Sequence, residues 1–164
     1  MDTWRQEVAA ALQREFSDIA DASQLTLIAV RLVMAALLGA ILGFERESQG
    51  KSAGVRTHML VSIGAALFVL VPDISGAEHD AISRVVQGVV AGIGFLGAGT
   101  ILKNSDLDTH QVKGLTTAAG LWMTAAIGVA AGMGKEATAV FSTLLALLVF
   151  SVMPWFVKFF ERKT

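Results

Sequence analysis

Five runs of apolar residues follow one another along this chain, each close to the length a helix needs to cross a bilayer, with only short polar loops between them. A hydrocarbon core about 30 Å thick takes about 20 helical residues, and lipid offers the backbone no hydrogen-bond partner, so each segment must satisfy its own amides as a helix. The runs cover about 25–44, 57–72, 81–102, 115–133 and 137–157. The second is the shortest and ends at Pro72, so it either crosses with borrowed flanking residues or dips in and returns. Charged residues make up 16% of the chain, against roughly 25% in a soluble domain that must present a solvated surface everywhere. The pattern predicts an all-α fold, an integral membrane bundle of about five transmembrane helices over 25–157. An N-terminal amphipathic segment (1–24) precedes it and a cytoplasmic tail (158–164) follows, leaving no room for a separate soluble domain.

Several function classes drop out at once. The net charge of −1 gives no basic footprint for nucleic acid, and the absence of cysteine removes thiolate metal sites and cysteine catalysis. No serine, histidine and acid spacing suggests a hydrolase, so the chain reads as a non-enzyme without a cofactor. His58, His79 and His110 stand apart and read as solvated or capping side chains. Gly92 to Gly97 spells GxGxxG, yet it lies deep in an apolar run with no strand before it, and it is rejected as a dinucleotide fingerprint. In the first segment Trp4, Val8, Leu12 and Ile19 share one helical face, which suits a helix lying on the membrane. Glu15 falls on that face too, and a solvated helix fits the pattern equally well.

Lysine and arginine set the orientation. With the N-terminus outside, the inner side holds Arg46, Lys51, Arg56, Lys103, Lys113, Lys158, Arg162 and Lys163, eight against Arg5, Arg14, Arg84 and Lys135 outside. The chain is expected to run N-out, C-in.

Within the spans glycine is the most informative residue. Gly39 and Gly43, Gly88 and Gly92, and Gly128 and Gly132 form GxxxG pairs; Gly94, Gly97 and Gly120 add to them. In lipid, close backbone approach through small residues supplies the contact that apolar burial cannot, so these positions are expected to pack helices together. Thr117, Gly120, Thr124 and Gly128 lie within one face of the fourth span. The third span is expected to be central, and the fifth, which lacks glycine, to be a lipid-facing outer helix tolerant of bulk at Ala146.

Ionisable residues at membrane depth mark two candidate sites. Near the outer face Arg31, Asp73, Arg84 and Gln87 can form a polar network, with Asp73 the leading partner of both arginines. Near the inner face Glu45, Arg46, Arg56, Thr57, His58, Lys103, Lys113, Thr116 and Thr117 collect, open either to anionic lipid or phosphate or to simple anchoring. A divalent cation would have only Glu45, Glu47, Asp106 and Asp108 there, so no metal site is assigned.

Four blocks in order carry a family resemblance: Arg31–Leu32 through Gly39 to Glu47, Ala53 to Val61, Ser83 to Gly88 running into Gly92–Gly99, and Val112 to Ala119 with Trp122. They resemble the MgtC/SapB membrane proteins over roughly 31–134. The resemblance implies a bacterial inner-membrane protein, N-terminus outside, linked to magnesium homeostasis and growth at low magnesium. Its MgtC branch is associated with survival in macrophages and restraint of the F-type ATP synthase. Longer members add a soluble domain after the last span, so this chain resembles the short SapB-like form.

Two functions remain open. One is a regulator that binds another membrane complex through its small-residue faces; the other is a small oligomeric transporter of magnesium or another ion. Lipid, further copies of the chain and another membrane complex are the expected partners. Charges cluster near both faces while Gly, Ala, Leu and Val fill the middle, which favours the regulator. For orientation, a cysteine at Ser52 should react only with membrane-permeant reagent in intact cells, and one at Gly76 also with impermeant reagent; the reverse pattern would overturn the N-out reading.

Overall fold

In the computed structural model, residues 2–15, 17, 21–104 and 113–161 are described, and among them the regular structure is six helices. They are α1 (Asp2–Glu15), α2 (Ala22–Ser48), α3 (Val55–Ile74), α4 (His79–Asn104), α5 (Leu115–Gly132) and α6 (Glu136–Glu161). Five of these, α2 to α6, are long and apolar enough to cross a membrane. The short second run does not turn back: α3 is continuous for 20 residues, about 30 Å, with Pro72 in its last turn. The rejected GxGxxG sits mid-helix in α4.

The chain divides into two units, Met1–Val30 and Arg31–Thr164. In the first, α1 ends at Glu15, so Ile19 lies outside the described residues. The Asp21 carboxylate accepts from the Gln24 amide at 2.7 Å, an N-cap that starts α2.

The second unit holds the bundle. Its helices stop sharply because the chain supplies left-handed glycines where the backbone must reverse. Gly76 (φ 75°) and Gly134 (φ 68°) follow the ends of α3 and α5, and the next amides fold back, Ala77 onto Pro72 O and Lys135 onto Ala130 O. Ala77 is therefore a better labelling position on this loop than Gly76.

What holds the helices together is glycine against backbone. A Cβ added at Gly39 of α2 would lie 2.7 Å from the His58 carbonyl oxygen and 2.9 Å from the Ser62 Cβ, and one at Gly43 would meet the Val55–His58 turn. From the other side, Gly128 of α5 rests on the Ser62 carbonyl, and a Cβ at Gly132 would lie 2.7 Å from the Ala66 Cα. Helix α3 is thus gripped by α2 and α5 at one residue, Ser62. Around this crossing Ala35, Leu38, Leu42, Ala66, Ile127 and Ala131 form the core. Helix α6 adds Ala139, Ala146 and Phe150 from one face, while Phe141, Leu144, Leu145 and Leu148 point outward.

Two expectations are corrected. The third span, α4, is peripheral, whereas half of the α5 span is buried. Nothing lies within 4 Å of a Cβ placed at Gly88, Gly92 or Gly94, and only Gly97 meets a neighbour, the Ala118 Cβ at 3.3 Å. The reason is which face α4 turns to α5: Val86, Val90 and Ile93 line that seam with Trp122, Ala125 and Val129, leaving Gly88, Gly92 and Gly94 outside it. Ala146 is buried (6% exposed) because α6 packs through its small residues.

Gly128→Ala drives a methyl into main-chain atoms that no rotamer change can move, so it should cost about 2 kcal/mol or more and lower the thermal midpoint in detergent. Gly92→Ala should be neutral or slightly stabilising, since the added side chain meets nothing and alanine favours helix. Equal losses at the two positions would contradict the crossing described here.

Candidate functional site

Charge is absent from the middle of every span. Between Arg31 and Glu45, Arg56 and Asp73, Arg84 and Lys103, Lys113 and Lys135, and Glu136 and Lys158 the chain has no Asp, Glu, Lys or Arg. The ionisable side chains therefore gather at two levels, and at each level one cluster is drawn into the bundle.

At the first, the Arg31 guanidinium on α2 donates to the Asp73 carboxylate at 2.7 Å and to the Gly132 carbonyl at 2.9 Å. One arginine thus joins α2, the end of α3 and the end of α5, where the last carbonyls of a helix lack partners of their own. Gly134 makes room for it: a Cβ there would lie 2.6 Å from an Arg31 terminal nitrogen. The network is smaller than expected. Arg84 and Gln87 are exposed on α4, and among the described residues Asp73 pairs with Arg31, not with Arg84. Because α4 stands at the edge, its first turns do not reach the arginine clamp.

At the second level the cluster is deeper. Arg46, 3% exposed, pairs with Glu45 and lays its guanidinium over the Phe150 ring of α6, 3.9 Å from the centroid. Stacking on an aromatic face suits a planar, weakly hydrated cation in an apolar setting. His58 is fully buried, and its Nδ1 lies 2.7 Å from the Thr124 hydroxyl on α5. The same hydroxyl lies 2.9 Å from the Gly120 carbonyl of its own helix, so it links the imidazole to the α5 backbone. His58 Nε2, Glu45 Oε1 and Ser62 Oγ are buried without a hydrogen-bond partner among the described residues. Gly120 admits the histidine and phenylalanine edges, a Cβ there lying 3.7 Å from His58 Cε1 and 3.2 Å from Phe150 Cζ.

Of the expected inner residues, Glu45, Arg46, His58 and Thr117 turn inward, while Arg56, Lys113 and Thr116 are exposed and Thr57 is half-buried. The Lys103 side chain, Asp106, Asp108 and His110 lie outside the described residues. Arg56 and Lys113 thus stay in the open and do not join the buried pair. His58 is not a solvated histidine, and Ser62, Thr124 and Phe150 were missing from the expected site. Only Thr124 left a signal, its place on the Thr117–Gly120–Gly128 face. Among the described residues no group of three or more His, Asp or Glu is placed to hold a metal.

The MgtC family model matches residues 32–159, which takes in the Glu45, Arg46 and His58 cluster and, of the first cluster, Asp73 and Gly132, beginning one residue after Arg31. The chain belongs to the MgtC family. It is 45% identical over 133 residues to SrpB of Synechococcus elongatus, covering 76% of this chain and 73% of that one. It is 40% identical over 130 residues to YhiD of Escherichia coli, named there as a provisional magnesium transporter, and 42% identical over 118 residues to MgtC of Salmonella typhimurium. Those matches take 75% and 72% of this chain but span only 59% of YhiD and 48% of MgtC. No solved structure matches the chain significantly. The blocks that carried the resemblance fall on the structure at its key contacts: the first holds Gly39, Gly43 and the Glu45–Arg46 pair, and the second holds His58.

The Arg31–Asp73 bridge is partly exposed, with Asp73 at 39%, so its coupling in a double-mutant cycle should be modest, about 1 kcal/mol. Arg84→Ala and Asp73→Ala should be additive. Arg46→Ala should cost more, about 3 kcal/mol, by leaving Glu45 buried and unpaired, and Glu45→Gln in the same chain should recover part of it. Thermal unfolding of the single and double variants in detergent measures all of these.

Proposed function

We propose that this chain is a multi-pass protein of the bacterial inner membrane, N-terminus outside, that serves magnesium homeostasis as a regulator docking onto another membrane complex. The observation that carries the choice of regulator over transporter is the closed middle of the bundle. Ion passage through one chain needs polar groups across the midplane, because a charge moving through hydrocarbon without them meets a steep barrier. Here what separates Arg31 from the Arg46 and His58 cluster is glycine-to-backbone crossing and aliphatic core, with Ser62 at the cluster's edge and the Thr143 hydroxyl bonded to its own helix. The link to magnesium rests on the family resemblance and on the name carried by YhiD.

Docking has a place to happen. An apolar groove of about 460 Å³ opens between α3 and α4, with Gly64, Gly88 and Gly92 along it and Leu60, Phe68 and Val85 beside them. Small residues facing outward let a partner's helix approach closely in lipid, where such packing supplies the affinity. One observation favours the transporter as a second reading: Gln87 is exposed on α4 near the same groove, where an oligomer formed through α4 would enclose it.

Purified protein reconstituted into liposomes should show no saturable magnesium flux, with or without a membrane potential. Saturable flux lost on Gln87→Leu would establish the oligomeric transporter instead.

A further inference from the structure

We infer that α1 is a membrane-surface helix, lying in the plane of the interface with Trp4, Val8, Ala11 and Leu12 against lipid. At 100° per residue these four fall within about one quarter to one third of the helix circumference, with Val8 near the centre. Gln6 and Gln13 lie on the opposite side, and Arg5 and Arg14 fall on the two flanks. Flanking arginines are the arrangement in which long basic side chains lay their stems along apolar surface and hold their heads at headgroup level. Tryptophan itself favours that boundary, with an apolar ring and one N–H to place in water. All three large apolar side chains are exposed in the structure, Trp4 at 57%, Val8 at 44% and Leu12 at 55%.

The occupant of this face follows from what the helix is tied to. Seven residue steps separate Glu15 from Ala22, where α2 begins, so extended chain allows at most about 25 Å between them. Helix α2 is a membrane span, and its capped first turn belongs at or near the interface. The bilayer surface is therefore always within reach of α1. Tethering turns lipid binding into an intramolecular event at high effective concentration, so a stripe of four residues suffices where a free peptide of this length would dissociate. The side chains of α1 carry two positive and three negative charges, so apolar insertion and not attraction to anionic lipid holds it. Glu15, at the end of the stripe, limits the insertion to the first three turns.

The chain has no cysteine, so single labels report without background. Spin labels at Val8→Cys and Gln13→Cys would be compared in the full-length protein in vesicles of phosphatidylethanolamine and phosphatidylglycerol. Their collision rates with oxygen and with a water-soluble nickel chelate give depth. The label at position 8 should favour oxygen several-fold over nickel and the label at 13 the reverse. Adding Leu12→Glu should move the label at 8 to the aqueous pattern while the protein's elution volume stays unchanged. Labels at both positions open to nickel would overturn the inference in favour of a solvated helix. A label at 8 shielded from both reagents would overturn it in favour of a protein partner.

Discussion

Everything in the bundle depends on how closely α3 can be approached. Hydrocarbon solvates leucine as well as another leucine does, so helices in lipid gain little from apolar burial and must instead touch along their backbones. Ser62 marks where this happens: Gly39 of α2 meets it from one side and Gly128 of α5 from the other. Once α3 is held there, the remaining geometry follows. Leu42, Ala66, Ile127 and Ala131 close the core around the crossing, and α6 seals it with Ala139, Ala146 and Phe150.

That crossing also determines what the charges can do. With the middle closed, the arginines of α2 are confined to the two ends, and each is fixed by a different chemistry. Arg31 caps the Gly132 carbonyl of α5 and bridges to Asp73, a clamp that ties α2 to the ends of α3 and α5 and stays partly wet. Arg46 is dry, and stacks on Phe150 beside its own neighbour Glu45. Next to it His58, held through Thr124, has a ring nitrogen with no hydrogen-bond partner among the described residues. A buried polar group without a partner weakens a fold.

The architecture was legible in the sequence because bilayer thickness converts an apolar run directly into a helix; α2 to α6 begin and end within a few residues of the expected spans. Charged residues at membrane depth were also informative, and Arg31 with Asp73 was found in advance. Glycine was half informative. GxxxG marks a helix able to approach another closely, and the pairs at 39/43 and 128/132 do so, but the same spacing at 88/92 faces open groove. One-dimensional spacing carries no sign of which face meets a neighbour in the same chain and which is kept for another molecule. His58 was misread for a related reason: its burial comes from Gly43, Gly120 and Thr124, which are distant in sequence and reach it only once three helices cross.

The central claim is the direct contact of α5 with the α3 backbone at Ser62, and solid-state NMR in lipid bilayers reads it most directly. Protein labelled with ¹³C at glycine Cα and at serine carbonyls should give a through-space correlation between Gly128 and Ser62, identified by its loss in Ser62→Ala. A bundle in which that correlation is absent, while the correlations internal to each helix persist, would contradict the account.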